Sequence, residues 1–292
     1  MKKLPALFSL ATSIGLWYAC IQHPQSKKTT DLTHVKISNH GVNIAYTDTG
    51  KGDTTLLFVH GWCINKSYFA GQVKYFSNRY QVITMDLPGY GQSGKNRNSW
   101  TVNDFAGDVT SVITTLKLKN VILIGHSMAG EIIVQAKLNT PRQVIGLVGI
   151  DNFKGFDGKP ETAKTKADYA EAIATLKKHF KAVATAYFNQ DLFYKTTNAA
   201  IRKRILNDVA NADSTIAIAS MEDNNFNTVA KLRAAKTKLH LINSDYTHND
   251  TIGFIKAGIP YQLLQIHATG HFPMIENPAE FNRLLQKAIS QI

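Results

Sequence analysis

Cysteine is nearly absent from this chain: Cys20 and Cys63 are the only two in 292 residues. One pair cannot make a disulfide framework, and Cys20 falls in an N-terminal leader, so Cys63 is expected to be a free thiol. The ten histidines show no paired spacing of the zinc type. His248 and Asp250 lie close together but lack a third and fourth ligand and read as a loop. No metal or cofactor is called for. No internal repeat is evident. Acidic residues are outnumbered, 21 against 33 Lys and Arg, for a formal net charge of +12. Such a balance favours nucleic acid or anionic membrane in principle. The basic residues are scattered, however, and no basic run is interleaved with aromatics, so the excess reads as solvated surface charge with no nucleic-acid partner.

Hydrophobic residues make up 44%, enough for a sizeable core. Met1-Lys2-Lys3 is a short basic start, and Leu4 to Ala19 is mostly apolar but too short for a comfortable membrane span. That is a secretory leader pattern over residues 1–20, although an uncleaved N-terminal anchor helix is the other reading. Its end, Leu16-Trp17-Tyr18-Ala19-Cys20, resembles a bacterial lipobox, which predicts export to the periplasm with a possible membrane tether through a lipidated Cys20. Residues 21–34 are polar and read as a tether.

Val121-Ile122-Leu123-Ile124 reads as a strand buried on both faces. It runs into Gly125-His126-Ser127-Met128-Ala129-Gly130 and then into helix-like content from Glu131 to Leu138. Small residues around a serine at a strand-to-helix junction let the chain turn sharply and hold the hydroxyl clear of the sheet, the pattern of a nucleophile elbow. Ala129 stands where the usual pattern has its second glycine.

Other segments follow the same strand and helix alternation. Val35–Ser38 and Val42–Tyr46 alternate as a hairpin around Asn39-His40-Gly41. Thr55–Val59, Gln81–Asp86, Val144–Asp151, Leu239–Asn243 and Tyr261–Ile266 read as strands. Val102–Leu116 and Pro278–Ile289 read as amphipathic helices. Between Asn152 and Lys238 no run looks like a buried strand, and Ala167–Tyr187 and Ala199–Ala210 read as helices. The expected fold is therefore α/β: a mostly parallel central sheet flanked by helices, built from residues 35–151 and 239–292, with a helical cap over 152–238.

Four motifs at strand ends carry a family resemblance: His60-Gly61-Trp62, Asp86-Leu87-Pro88-Gly89-Tyr90-Gly91-Gln92-Ser93, the elbow at Ser127, and Gly270-His271-Phe272-Pro273. In this order they resemble the α/β-hydrolase family from about Val35 to the end of the chain, and most of all its small-molecule esterases. The resemblance implies Ser127 as nucleophile and His271 as the base that activates it. The family order of serine, acid, histidine points to Asp245 as the acid, after the strand at Leu239–Asn243. Asp151, at the end of the preceding strand, is a position some members use instead, and Asp250 lies further along the same loop as Asp245. The backbone N–H groups of Trp62 and Met128 are the implied oxyanion donors, with their side chains shaping an acyl pocket. Asp86 and His126 read as structural, and Cys63 as a small buried thiol. The expected reaction is hydrolysis of a small carboxylic ester through an acyl-enzyme. The same residues support C–C bond hydrolysis, acyl transfer or perhydrolysis, and the competing class is a non-catalytic lipid-anchored binding protein on a hydrolase scaffold.

Overall fold

A computed structural model describes residues 33–155, 162–222 and 226–292. The leader and Cys20 lie outside the described residues, as does most of the tether. The strands are β1 (Thr33–Asn39), β2 (Val42–Asp48), β3 (Thr55–Val59), β4 (Gln81–Met85), β5 (Val121–His126), β6 (Val144–Ile150), β7 (Leu239–Ser244) and β8 (Tyr261–Ile266). The helices are α1 (Ala70–Phe76), α2 (Val102–Thr115), α3 (Ala129–Asn139), α4 (Ala163–Asp191), α5 (Ala199–Ala210), α6 (Ser214–Glu222), α7 (Thr228–Ala235), α8 (Ile252–Ala257), α9 (Pro273–Glu276) and α10 (Pro278–Ile289).

One eight-stranded sheet runs in the order β1-β2-β4-β3-β5-β6-β7-β8. β1 and β2 form an antiparallel hairpin. Its turn uses His40 and Gly41, both at positive φ (47° and 81°), the geometry that matches strand twist in a two-residue turn. β2 meets β4 antiparallel, and every later pairing is parallel. The chain reverses its direction of travel across the sheet between β3 and β5, which are neighbours. Open parallel sheets bind ligands at the carboxyl ends of strands at such a reversal.

Side-chain alternation divides the core into two layers. Leu57, Val59 and Leu123 face Phe105 and Val109 of α2 and Ile132 and Ile133 of α3. Leu56, Phe58, Ile122 and Ile124 face Phe76 of α1 and Phe281, Leu284 and Leu285 of α10. Burial on both faces explains why β3 and β5 are continuous apolar runs.

Helices α4–α7 fall between β6 and β7, with no strand among the described residues there. The expected helix at Ala167–Tyr187 is longer, and it is broken at His179, whose φ and ψ are −139° and 44°. In α6 polar and apolar residues do not segregate into a helical stripe, which hid it in the sequence. It lies over the loop after β3, with Trp62 Nε1 donating to the Ala217 carbonyl at 2.8 Å. α7 behaves differently from the rest of the expected cap. Leu232 joins the α2–α3 side of the core, and Lys231 and Thr228 bond Gln135 and Glu131 of α3. The helices above the strand ends are α4, α5 and α6.

Candidate active site

The turn after β5 is tight because its neighbours leave no room for anything wider. Ser127 sits at φ 52°, a left-handed conformation costly for a residue with a Cβ. Its N–H donates to the Ile150 carbonyl at 2.9 Å, and its own carbonyl accepts from Gly130 N. A Cβ at Gly125 would meet the Ala129 carbonyl oxygen at 2.6 Å, and one at Gly130 would meet Asn152 Nδ2 at 2.7 Å. Gly130, not Ala129, is therefore the second position that requires glycine, and the Ala129 methyl is accommodated in the core. Asn152 donates from Nδ2 to the Gly125 carbonyl at 3.0 Å, pinning the elbow to the end of β6.

His271 follows β8 and lies next to the elbow: its ring is 4.7 Å from that of His126, the residue before Ser127. His126 Nε2–H donates to the His271 carbonyl at 2.8 Å. Burial, followed by the neighbouring His271 charge, pushes the His126 imidazolium down to about 3, so His126 is neutral and acts as a donor only through Nε2. The Ser127 hydroxyl makes no hydrogen bond among the described residues. Bonds of this kind often tighten only once substrate is present.

The acid beside His271 is Asp151, and the expectation for Asp245 is corrected. Asp151 Oδ2 accepts from His271 Nδ1 at 2.6 Å. Asp245 instead accepts from His267 Nδ1, also at 2.6 Å, in an exposed pair. The end of β7 is the cause. Ser244, its last residue, is buried against Asp151, and burial stops there, so Asp245 falls in the exposed loop that follows. Asp250 is also elsewhere, accepting from Ile252 N at 2.9 Å in the turn before α8.

Asp151 stands level with Ser127, because His126 pairs with Ile150 in the register of β5 and β6. Both are the first residues beyond adjacent strand ends, and both have positive φ, 46° at Asp151. A buried strand ending directly in an acid was the readable signal. The residues that complete this acid's surroundings were not foreseen. Ser244 N donates to Asp151 Oδ1 at 2.9 Å. The Ser244 hydroxyl lies 2.9 Å from the same oxygen and 2.6 Å from the Gly270 carbonyl. Lys154 Nζ makes an ion pair with Oδ1 at 2.9 Å and sits 3.9 Å from the centre of the Tyr246 ring. Burial opposes the charged carboxylate, but the His271 hydrogen bond and charge, joined by the Lys154 ammonium, outweigh it. They hold Asp151 well below the usual carboxylate range. With Nδ1 committed to a carboxylate, the unprotonated nitrogen of neutral His271 is Nε2, the form a base needs.

The expected oxyanion donors flank the elbow. No hydrogen bond among the described residues takes the N–H of Trp62 or Met128. Met128 precedes the first residue of α3, where free N–H groups favour negative charge. The loop bearing Trp62 is pressed against the elbow at Gly61, where a Cβ would meet Ser127 Cβ at 2.9 Å. His60 fixes this loop: its Nδ1 lies 2.8 Å from the Gly61 carbonyl, and Nε2 accepts from Leu87 N. Asp86 is structural, accepting from Lys66 N, Lys66 Nζ and Gln92 N. Cys63 is buried and unpaired, and burial pushes its thiol up. The Trp62 indole packs against the cap, its ring 5.9 Å from those of both Phe180, edge-on, and Phe188, tilted. No group of three or more potential metal ligands occurs among the described residues.

The family model for the alpha/beta hydrolase fold matches residues 54–278. The chain belongs to the alpha/beta hydrolase family. Among curated relatives, this hydrolase is 37% identical over 103 residues to the AB hydrolase superfamily protein YisY of Bacillus subtilis, a match covering 35% of this chain and 38% of that one. It is 34% identical over 96 residues to a 2-(acetamidomethylene)succinate hydrolase of Mesorhizobium japonicum, covering 33% and 34%. These matches thus span little more than a third of the relatives' length. Among solved structures, a thermophilic esterase from Thermogutta terrifontis superposes with a TM-score of 0.75 at 18% identity, covering 89% of this chain and 97% of that one. An esterase from Exiguobacterium antarcticum gives 0.74 at 22%, covering 86% and 96%. At such identities the superpositions establish the shared fold.

Proposed function

We propose that this alpha/beta hydrolase cleaves small carboxylic esters through a covalent acyl-enzyme, with Ser127 as nucleophile, His271 as base and Asp151 as the acid that orients it. The 2.6 Å bond from His271 Nδ1 to the buried Asp151 carboxylate carries the reading. It fixes the tautomer whose Nε2 can take the serine proton and stabilises the imidazolium that results. Ser127 Oγ attacks the ester carbonyl, and the tetrahedral oxyanion is met by the N–H groups of Trp62 and Met128. His271 returns the proton to the departing alcohol. Water, activated by the same nitrogen, then releases the acid and regenerates the serine.

A small acyl group is favoured by the apolar cover over the Trp62 indole, which meets Phe180 and Phe188 and donates to the Ala217 carbonyl. The similarity to solved esterases is in keeping with it. Labelling with a fluorophosphonate probe, followed by turnover of p-nitrophenyl esters of increasing acyl length, tests the proposal. A labelled chain with a short-acyl optimum supports it. A chain that neither labels nor turns over any ester refutes it in favour of a binding protein. The leader further leads us to propose export, with Cys20 as a site of lipidation. Mass analysis of the mature N-terminus tests this, and an intact leader on a cytosolic chain contradicts it.

A further inference from the structure

Every backbone N–H of Gly270-His271-Phe272 is bonded, and the partners come from outside the sheet. His271 N donates to the Leu192 carbonyl, at the C-terminal end of α4, at 2.8 Å. Gly270 N and Phe272 N, on either side of His271, both donate to the Glu276 carboxylate, at 3.0 Å to Oε2 and 3.1 Å to Oε1. Oε2 also accepts the Thr197 hydroxyl at 2.6 Å. Thr197 belongs to the cap turn between α4 and α5, and its Oγ1 in turn accepts from Tyr194 N at 2.9 Å. The contact is tight: a Cβ at Gly270 would meet the Leu192 carbonyl oxygen at 2.4 Å and Tyr194 N at 2.7 Å. One carboxylate thus ties the loop of the base to the cap.

We propose that Glu276 is a positioning residue for His271, acting with Thr197 to make the Leu192–Thr197 turn of the cap part of the support of the base. The inference rests on the reading of His271 as the base. A carboxylate accepting three charge-assisted hydrogen bonds sets the backbone on both sides of the imidazole, and a displacement of the order of 1 Å in a reacting group costs about a hundredfold in rate. The half of α4 beyond the break at His179 is anchored to the loop of His271 through the Leu192 carbonyl.

The test measures kcat and KM on p-nitrophenyl acetate, per site titrated with a fluorophosphonate, for the full chain and for Glu276→Gln, Thr197→Val, Thr197→Ser and the Glu276→Gln/Thr197→Val double variant. Loss of a positioning contact predicts that kcat per titrated site falls about tenfold in Thr197→Val and at least as far in Glu276→Gln, while KM stays within about twofold. Thr197→Ser, which keeps the hydroxyl, retains the parent kcat. The double variant is no slower than Glu276→Gln alone, because Thr197 acts through that carboxylate. If Glu276→Gln does not fold, the Thr197→Val and Thr197→Ser pair decides. A Thr197→Val variant with unchanged kcat per titrated site, or with losses only in KM or melting temperature, overturns the proposal while leaving the esterase reading intact. A parent chain that neither labels nor turns over overturns both.

Discussion

Asp151 Oδ2 accepts the Nδ1–H of His271 at 2.6 Å across a sequence separation of 120 residues. The bond joins the end of β6 to the loop after β8, across the intervening β7. The residue of β7 between them, Ser244, bonds both sides through Asp151 Oδ1 and the Gly270 carbonyl.

The first prediction separates the two aspartates. Asp151→Asn places an amide against Nδ1, favours the wrong tautomer and lowers kcat by about ten-thousandfold, the loss seen for the same change in a serine protease triad. Asp245→Asn loses only an exposed contact with His267 and leaves kcat within about twofold, since exposed pairs contribute about 1 kcal/mol or less. Steady-state kinetics on one activated ester check both. A large loss in Asp245→Asn with none in Asp151→Asn contradicts the assignment.

Most of the sheet was legible in the sequence because its central strands are buried on both faces and leave unbroken apolar runs, as at Val121–Ile124. The elbow was legible for a related reason, since Ser127 stands where such a run stops, whereas His271 was legible from the Gly270-His271-Phe272-Pro273 motif after β8. The acid was harder. Val144–Ile150 ends in Asp151 and Leu239–Ser244 ends one residue before Asp245, so two strands present equivalent candidates. They differ in where burial ends: it extends through Asp151 after β6 but stops at Ser244 after β7, which depends on packing from other segments. Helices α6 and α7 were illegible because polar and apolar residues do not segregate onto opposite faces of α6 and because α7 is short. Lys154 and Glu276 could not be found at all from sequence, since their importance depends on contacts with segments far away in the chain.

Lys154 allows a test of the electrostatics of the site. Asp151 is held below the ordinary carboxylate value by His271 and Lys154 despite its burial. Its ionisation therefore contributes stability that is present above about pH 4, the unfolded value, and is lost as pH falls toward the lower folded value. Lys154→Met removes one of the charges that lowers it. The difference in unfolding free energy between about pH 5 and pH 2 should become smaller than in the parent chain. Urea unfolding at a series of pH values measures this, and an unchanged or steeper dependence contradicts it.

Phe180 and Trp62 make the third case. Phe180 meets the indole edge-on from the cap, and Trp62 is the residue whose N–H is assigned to the oxyanion. Phe180→Ala opens space over the indole without touching the elbow. Relative kcat/KM for butyrate and hexanoate over acetate should rise by about threefold to tenfold, the range that a few methylene groups yield in an apolar pocket. A fall in activity on all three esters in equal proportion argues against a role for this contact in acyl selection.

The central claim is that Ser127 is the nucleophile of a covalent mechanism, and mass spectrometry of the chain after fluorophosphonate treatment tests it most directly. The account predicts one adduct per chain, mapped to the peptide bearing Ser127, and its complete loss in Ser127→Ala, with kcat reduced by about a millionfold and the fold unchanged by circular dichroism. An adduct on another residue, or near-parental ester turnover in a folded Ser127→Ala chain, would contradict it.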